Sequence, residues 1–577
     1  MKKSTHAGIF AVPGRLPLAA ASVFLSCVVV AFLGLIGLGR WQLDEYVDFY
    51  RMRSGLPYVL ERLRWSPRPI SEPVYYLYGW LVNTLHRPLI LPFLAAFWTL
   101  FLFAGGFTFR QTLREHRSQR AWNQLLIALT LMALFLAGGH LSEVFYWPAG
   151  TVAYLPTLSA TLLLFLQILD GKLSTPRGRL TAAICLTIAA GSSEAGATFA
   201  LCYILMRGAR RGLAFIRSRQ SAGERAPLFW LTVPAIMAAL VLMAVRMNRF
   251  RAAEAPTLVR HSIAGHPLLS LMAGFEEMVI EFIGRGMLAR TAKQYPHPAT
   301  WFHLGPRFLF QMLLGSRMPM EILLVLGVGL WYSRFERPSR ELSASIIEIC
   351  GAFMAASLFT IAAANLHFGV TCCDRHEVLR ECWTVMTMTG LVILFAGRFS
   401  GSTGAALDLG RTSAPLLLCV AVYSLGFMRP LIRTYHIYKP VYAASGENFA
   451  SGFRATTDPM NFWVVPSAGI ISEEILSPGV FAKGSHDVSG FGYDVYPYYL
   501  MDFFRKDKIT IQPLRIDSAF YGIPLHVESC DCGHSEWATT RFNSAGGLPL
   551  LGMYNSAFGE KMRVPPAPLR GPDITAH

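Results

Sequence analysis

The sequence predicts an all-α polytopic membrane protein, and three observations carry that expectation. Only 15% of its 577 residues are charged and 53% are apolar, whereas ordinary soluble domains carry about 25% charged residues. Mean hydropathy is +0.39. The apolar residues gather in runs close to the roughly 20 residues that a helix needs to cross a bilayer. The 34 Pro and 49 Gly follow no period, which excludes collagenous and low-complexity chains. The net charge is +16, but in such a chain basic residues first report orientation. No nucleic-acid partner is expected.

The first span is Leu18–Gly39, preceded by Lys2, Lys3 and Arg15. No small-residue cleavage site follows it before Arg40, so it reads as a retained anchor rather than a signal peptide. Further spans are Leu89–Phe109, Ala121–Gly139, Thr151–Leu169, Leu180–Met206, Pro227–Val245, Met318–Tyr332, Leu342–Ala364, Leu379–Ala396 and Pro415–Met428. Leu180–Met206 is too long for one crossing and is interrupted by Gly191-Ser192-Ser193-Glu194. Lys172, Arg177 and Arg179 precede it, and Arg207, Arg210 and Arg211 follow it. Equal charge at both ends implies a short hairpin, which brings the expectation to about eleven spans.

The connections Arg110–Arg120, Arg207–Arg225, Arg334–Arg340 and Arg398–Arg411 are basic, as inside loops are. The N-terminus is therefore expected inside and the C-terminus outside. In a bacterial cell this is the multi-pass pattern of the inner (cytoplasmic) membrane, with a periplasmic C-terminal segment. Residues 1–428 form the transmembrane domain and 429–577 the outside segment. Within the latter, Lys508-Ile-Thr-Ile-Gln512 alternates like a strand, which predicts a small α+β element followed by a flexible tail.

Candidate chemistry lies on the outside face. Asp44 and Asp48, four residues apart, share one face of any helix that follows the first span. Two carboxylates beside a bilayer are poorly solvated, which raises one pKa and suits proton abstraction from a hydroxyl. An interfacial stop signal explains the same residues without chemistry. Ser71-Glu72-Pro73 opens a helix whose Tyr75, Tyr76, Tyr78 and Trp80 suit either the headgroup layer or sugar stacking. Glu143, Tyr146 and Trp147 lie in the next outside loop, and Glu194 at the hairpin tip. An ionisable group at membrane depth is by default functional or paired.

The outside stretch Arg246–Arg317 disobeys the charge rule. Within it, Leu268, Leu271, Met272, Phe275, Met278, Val279 and Phe282 recur at helical spacing opposite Glu276, Glu277 and Glu281. That pattern predicts an amphipathic helix lying in the interface, next to lipid phosphates. Asn365, His367, Asp374, Arg375, His376, Glu377, Arg380 and Glu381 form the densest polar cluster. It either holds a phosphate or pairs internally. Of the 10 cysteines, Cys27, Cys185, Cys202, Cys350 and Cys419 fall in spans and are expected to pack as small hydrophobes. Cys372, Cys373, Cys530 and Cys532 fall outside, where oxidation is open to them.

Asp44-Glu45 after the first span, Arg68-Pro69, the Glu143–Gly150 loop and Arg375-His376-Glu377 opening a span together resemble the GT-C superfamily of integral-membrane glycosyltransferases, in its bacterial cell-envelope and O-antigen branch. The likeness in layout covers most of residues 1–428. It implies inverting transfer from a polyprenyl-phosphate-linked sugar to an envelope glycan or lipid acceptor on the periplasmic side. It also implies Asp44 as the catalytic carboxylate with Glu45 beside it. Arg68, Arg375 and His376 would then bind the donor phosphate, and Glu143, Tyr146, Trp147 and Glu194 would bind substrate. No cofactor is required, although two carboxylates suit Mg²⁺ or Mn²⁺. The chain departs from the superfamily in lacking a Trp-Trp-Asp-type cluster and in its short hairpin. A transporter or flippase of envelope lipids, or a non-catalytic polymer-assembly protein, is the alternative.

Overall fold

The computed structural model describes residues 15–114, 119–137, 141–218, 228–247, 266–284, 322–329, 338–368, 374–399, 419, 421, 431–432, 434–435, 438–454, 459–464, 479–483 and 496–513. Among them, six helical stretches are long and apolar enough to cross a membrane: Ala19–Leu38, Ile90–Arg114, Pro148–Leu169, Leu228–Arg246, Arg340–Leu366 and Arg375–Ala396. The remaining expected crossings do not reach that length and apolarity among the described residues. The helix over Ala121–Gly139 is shorter in its apolar part, Ala121–Leu136. Met318–Tyr332 is described only at 322–329, and Pro415–Met428 only at 419 and 421.

The order is α1 (Arg15–Leu33), α2 (Leu43–Arg51), α3 (Leu56–Trp65), α4 (Ser71–Leu85), α5 (Ile90–Arg114), α6 (Gln119–Ala137), α7 (Pro148–Leu169), α8 (Pro176–Ser192), α9 (Glu194–Ser218), α10 (Thr232–Met247), α11 (Pro267–Gly284), α12 (Arg340–Phe368) and α13 (Asp374–Phe399). A helix over 438–453 (α14) and α15 (Tyr496–Phe504) accompany three strands: β1 (Met460–Val464), β2 (Gly479–Ala482) and β3 (Lys508–Pro513). The chain divides into two compact units. One is Met1–Met247, Arg317–Ala356 and Asp374–Ser529; the other is Asn248–Ser316, Ser357–Cys373 and Cys530–His577.

In the first unit α7 is the central helix. It packs against α5 and α8, and all but two of its 22 residues are buried. Outward faces of the long helices carry Val23, Val30, Leu100, Phe103, Val233, Ile236 and Leu240 in exposed positions, the surface that a helix presents to lipid. Cys27 is also exposed on α1, unlike the buried Cys185, Cys202 and Cys350, so it does not pack inside as expected.

Across the stretch Leu180–Met206 the chain forms two helices in contact with one another, α8 and α9, neither of which is among the six stretches long and apolar enough to cross a membrane. Local chemistry breaks the helix where the two meet. Ser193 is extended (φ −151, ψ 155), and its hydroxyl oxygen accepts from Gly196 N at 3.0 Å, capping the new helix. Gly196 is needed there, because an added Cβ would lie 2.0 Å from Ala189 O. Glu194 is therefore the first residue of α9.

The C-terminal strands form a sheet ordered β1-β3-β2, with β3 parallel to β1 and antiparallel to β2. The alternation read in the sequence places Ile509 and Ile511 inside. Asn448 on α14 occupies the free edge of β1, accepting from Trp463 N and donating to Trp463 O. Phe503 and Phe504 of α15 join Trp41, Tyr46 and Phe449 in one aromatic cluster. This attaches the sheet to α2.

In the second unit, α11 is the helix predicted for the basic outside stretch. Its buried side differs from the predicted apolar stripe. Leu269, Ser270 and Ala273 are buried, while Leu268, Leu271 and Phe275 are exposed. Gly274 explains the choice: a Cβ there would stand 3.1 Å from Ala362 N of α12, so the small-residue side gives the closest backbone approach.

Candidate functional site

The site is built on α2, a nine-residue helix directly after the first span. Glu45 ties it down. The side chain is fully buried and accepts from Gln42 N at 3.0 Å, Trp147 Nε1 at 2.8 Å and Ala149 N at 3.0 Å. Burial raises its pKa well above the ordinary glutamate value, against the two donors of the α7 entry. Glu45 was expected beside Asp44 in catalysis; here both of its oxygens are committed to holding the start of α2 against the start of α7.

Asp44 faces the other way. Its side chain is exposed, yet the surrounding protein is dense enough that desolvation is the leading cause of a raised pKa. The negative charge of Asp48 raises the pKa further, while the guanidiniums of Arg375 and Arg62 lower it.

The described polar residues make three groups, of which the first and the third act on Asp44 through Asp48, Arg62 and Arg375. In the first, Asp48 is buried and accepts from Tyr58 Oη at 2.5 Å, with Arg62 3.3 Å from its carboxylate. Arg62 also reaches Glu72 at 3.3 Å and lies over the Tyr75 ring. Burial opposes its charge, but Asp48 and Glu72 outweigh that and hold its pKa well above normal. Burial and the neighbouring Asp48 raise the Tyr58 pKa, so its proton stays on. Among the described residues no group of three or more His, Cys, Asp and Glu is arranged to hold a metal.

In the second group, Arg68 Nε donates to Glu194 Oε2 at 2.9 Å and Nη2 to Tyr154 Oη at 3.4 Å. Tyr154 Oη is 3.2 Å from His376 Nε2. Backbone contacts place Arg68: Ile70 N donates to Gly191 O at 2.9 Å, and Ser71 Oγ donates to Val152 O at 2.7 Å. Burial works against the Arg68 charge, and Glu194 and Tyr154 more than offset it. In the third group, Arg375 donates to Glu143 Oε2 from its backbone N at 3.1 Å and from Nη1 at 3.3 Å, and stacks 5.1 Å from the Trp147 ring centroid.

The structure thus brings Arg68, His376 and Glu194 into one chain of contacts, and Arg375, Glu143 and Trp147 into another. Tyr146 and Trp147, expected at the substrate, are buried. Tyr146 Oη donates to Phe32 O at 2.7 Å and the Trp147 indole to Glu45, so their polar atoms serve the scaffold. Sequence reading gave no role to Tyr58, Arg62, Glu72 or Tyr154. Tyr154 looked like an ordinary member of an apolar span; a hydroxyl one turn inside its outer end was the available signal.

Comparison with family models, with curated proteins and with solved structures found no match to this chain.

Gly150 makes the α7 entry possible. A Cβ there would sit 1.9 Å from Glu143 O, a backbone atom that cannot yield without moving the turn Ser142–Tyr146. Gly150→Ala should therefore destabilise the fold by about 1–3 kcal/mol, the usual cost of overpacking. A thermal melt followed by tryptophan fluorescence measures it, and an unchanged midpoint would show that the turn adapts.

Proposed function

We propose that this chain is an inverting glycosyltransferase of a bacterial inner membrane, transferring sugar from a polyprenyl-phosphate donor to an envelope glycan or lipid acceptor at the periplasmic surface. One observation carries the reading: Asp44 is an accessible carboxylate with a raised pKa, set between Asp48 and the guanidiniums of Arg62 and Arg375. A base with this tuning takes a hydroxyl proton more readily than an ordinary aspartate does.

In the proposed reaction Asp44 accepts the proton of the acceptor hydroxyl while its oxygen attacks the anomeric carbon. The C–O bond to phosphate breaks with its electron pair going to the phosphate, and the anomeric centre inverts. Arg68 and Arg375 meet the charge on the leaving phosphate, and His376 serves it as a hydrogen-bonding group beside them. Arg68 uses Nε and Nη2 for Glu194 and Tyr154; a guanidinium has five N–H donors, which leaves Nη1 for a phosphate oxygen. The pairing of Arg68 with Glu194 and of Arg375 with Glu143 keeps both forks oriented before the donor arrives.

The test uses the full chain in lipid nanodiscs with a radiolabelled polyprenyl-phosphate sugar and a mixture of envelope glycolipid acceptors. Release of polyprenyl phosphate together with label on an acceptor is the expected result. In sealed vesicles, movement of the intact donor across the bilayer without bond cleavage would overturn the reading in favour of transport.

A further inference from the structure

The helix α4 is built the opposite way round from a water-facing helix. Its one charged side chain, Glu72, is 4% exposed and pairs with Arg62 at 3.3 Å. Ser71 Oγ donates inward to Val152 O, and Asn83 Nδ2 to Phe49 O at 2.8 Å. The face turned away from the protein carries Pro73, Val74, Leu77, Trp80, Thr84 and Leu85, with no charge among them. Its one hydroxyl, that of Thr84, donates back to Trp80 O at 2.8 Å, so it needs no water. The neighbouring α3 exposes Glu61 and Arg64 instead, as an ordinary surface helix does.

Scattered apolar residues on a surface carry no message, but a continuous uncharged helix face does. The path of the chain names what covers it. Residues 39–89 join the candidate spans Ala19–Leu38 and Ile90–Arg114, so a chain crossing at both keeps α2, α3 and α4 at one membrane surface. The 15 residues of α4 extend about 22 Å at 1.5 Å per residue, too short for the roughly 30 Å hydrocarbon core. After His86 and Arg87, both exposed, the chain enters α5, where Leu91, Leu100 and Phe103 face outward on a candidate span. The apolar face of α4 thus leads directly into a lipid-facing one, and Arg87 at the junction suits headgroup phosphates. Trp80, 52% exposed, has the amphipathic ring that favours this layer, whereas Tyr75 and Tyr78 of the same helix are buried.

We propose that the face of α4 formed by Val74, Leu77, Trp80 and Leu85 is immersed in the bilayer on the side of Asp44, as a docking surface for phospholipid acyl chains. The inference does not rest on the glycosyltransferase reading. Glu72 on the inner side of the same helix holds Arg62, and Arg62 holds Asp48 at 3.3 Å. The docked helix therefore also sets the depth of the acidic site relative to the lipid.

Photocrosslinking of the full-length protein in nanodiscs of tritiated phosphatidylcholine tests it. The apolar crosslinker p-benzoylphenylalanine replaces Leu77 in one variant and Leu85 in another, with circular dichroism as the check on folding. Irradiation should attach lipid label to each variant about tenfold above the wild-type chain, as a helix face buried in the acyl boundary requires. A covalent dimer without lipid label would overturn the proposal and assign the face to a second copy of the chain. Label no higher than in wild type would overturn it as well. The wild-type chain reads the same face without substitution: in these nanodiscs Trp80 should resist oxidation by hydroxyl radicals, and oxidation as fast as that of a free indole would exclude immersion.

Discussion

Asp44→Asn should lower the proposed glycosyl transfer by about 10²–10⁴-fold, the usual contribution of a positioned base, while leaving the protein at least as stable as wild type at pH 7. Both halves follow from the raised pKa of Asp44. A carboxyl group whose folded pKa lies above its unfolded value favours folding only while protonated. That contribution is complete below the unfolded pKa and is lost as pH rises through the folded one. At neutral pH the ionised Asp44 therefore opposes folding, and a neutral amide of the same shape relieves the strain. The acid limb of kcat/KM in the wild type should lie above the ordinary aspartate value of 3.8. It should move higher still in Arg62→Gln, because that guanidinium lowers the Asp44 pKa. Initial rates against pH, with melting midpoints for the same samples, check all of this. Wild-type turnover in Asp44→Asn would remove the residue from the chemistry.

Glu45→Ala should be the most destabilising single change at the site. It orphans the buried Trp147 Nε1 and the half-buried Gln42 N and Ala149 N, and a buried donor left without a partner costs about 1–3 kcal/mol, a half-buried one less. Even the buried donor alone costs a noticeable part of the roughly 5–15 kcal/mol that holds a typical domain together. Glu45→Gln should fall between, because its amide retains one acceptor oxygen but turns N–H groups toward other donors. Denaturant titration followed by tryptophan fluorescence reads the difference. If Glu45→Ala unfolds like wild type yet loses transfer, Glu45 acts in the chemistry and the structural role drawn from its contacts is wrong.

The two neighbours show how far a sequence can be read. That an acidic couplet follows the first span was plain, because it interrupts an apolar run. Which of the two would face open space was not. The answer rests on Trp147 and Ala149, about a hundred positions along the chain, which meet Glu45 only when α2 docks on the start of α7. The pairing of Arg68 with Glu194 and of Arg375 with Glu143 is equally remote, spanning 126 and 232 positions. Each residue had been singled out by its chemistry, but nothing in the linear pattern joined them. Tyr146 and Trp147 were noticed for their type and turned out to hold the scaffold.

Hydropathy and turn chemistry are local, and what depends on them was legible. The long apolar helices, the helix break at Ser193, the helix at Pro267–Gly284 and the alternating strand at Lys508–Pro513 follow from neighbours within a few positions. Burial and charge pairing depend on which distant surfaces meet. Close backbone approach at Gly274 chose the buried side of α11 against its apolar stripe, and helix docking alone turned Asp44 outward and Glu45 inward.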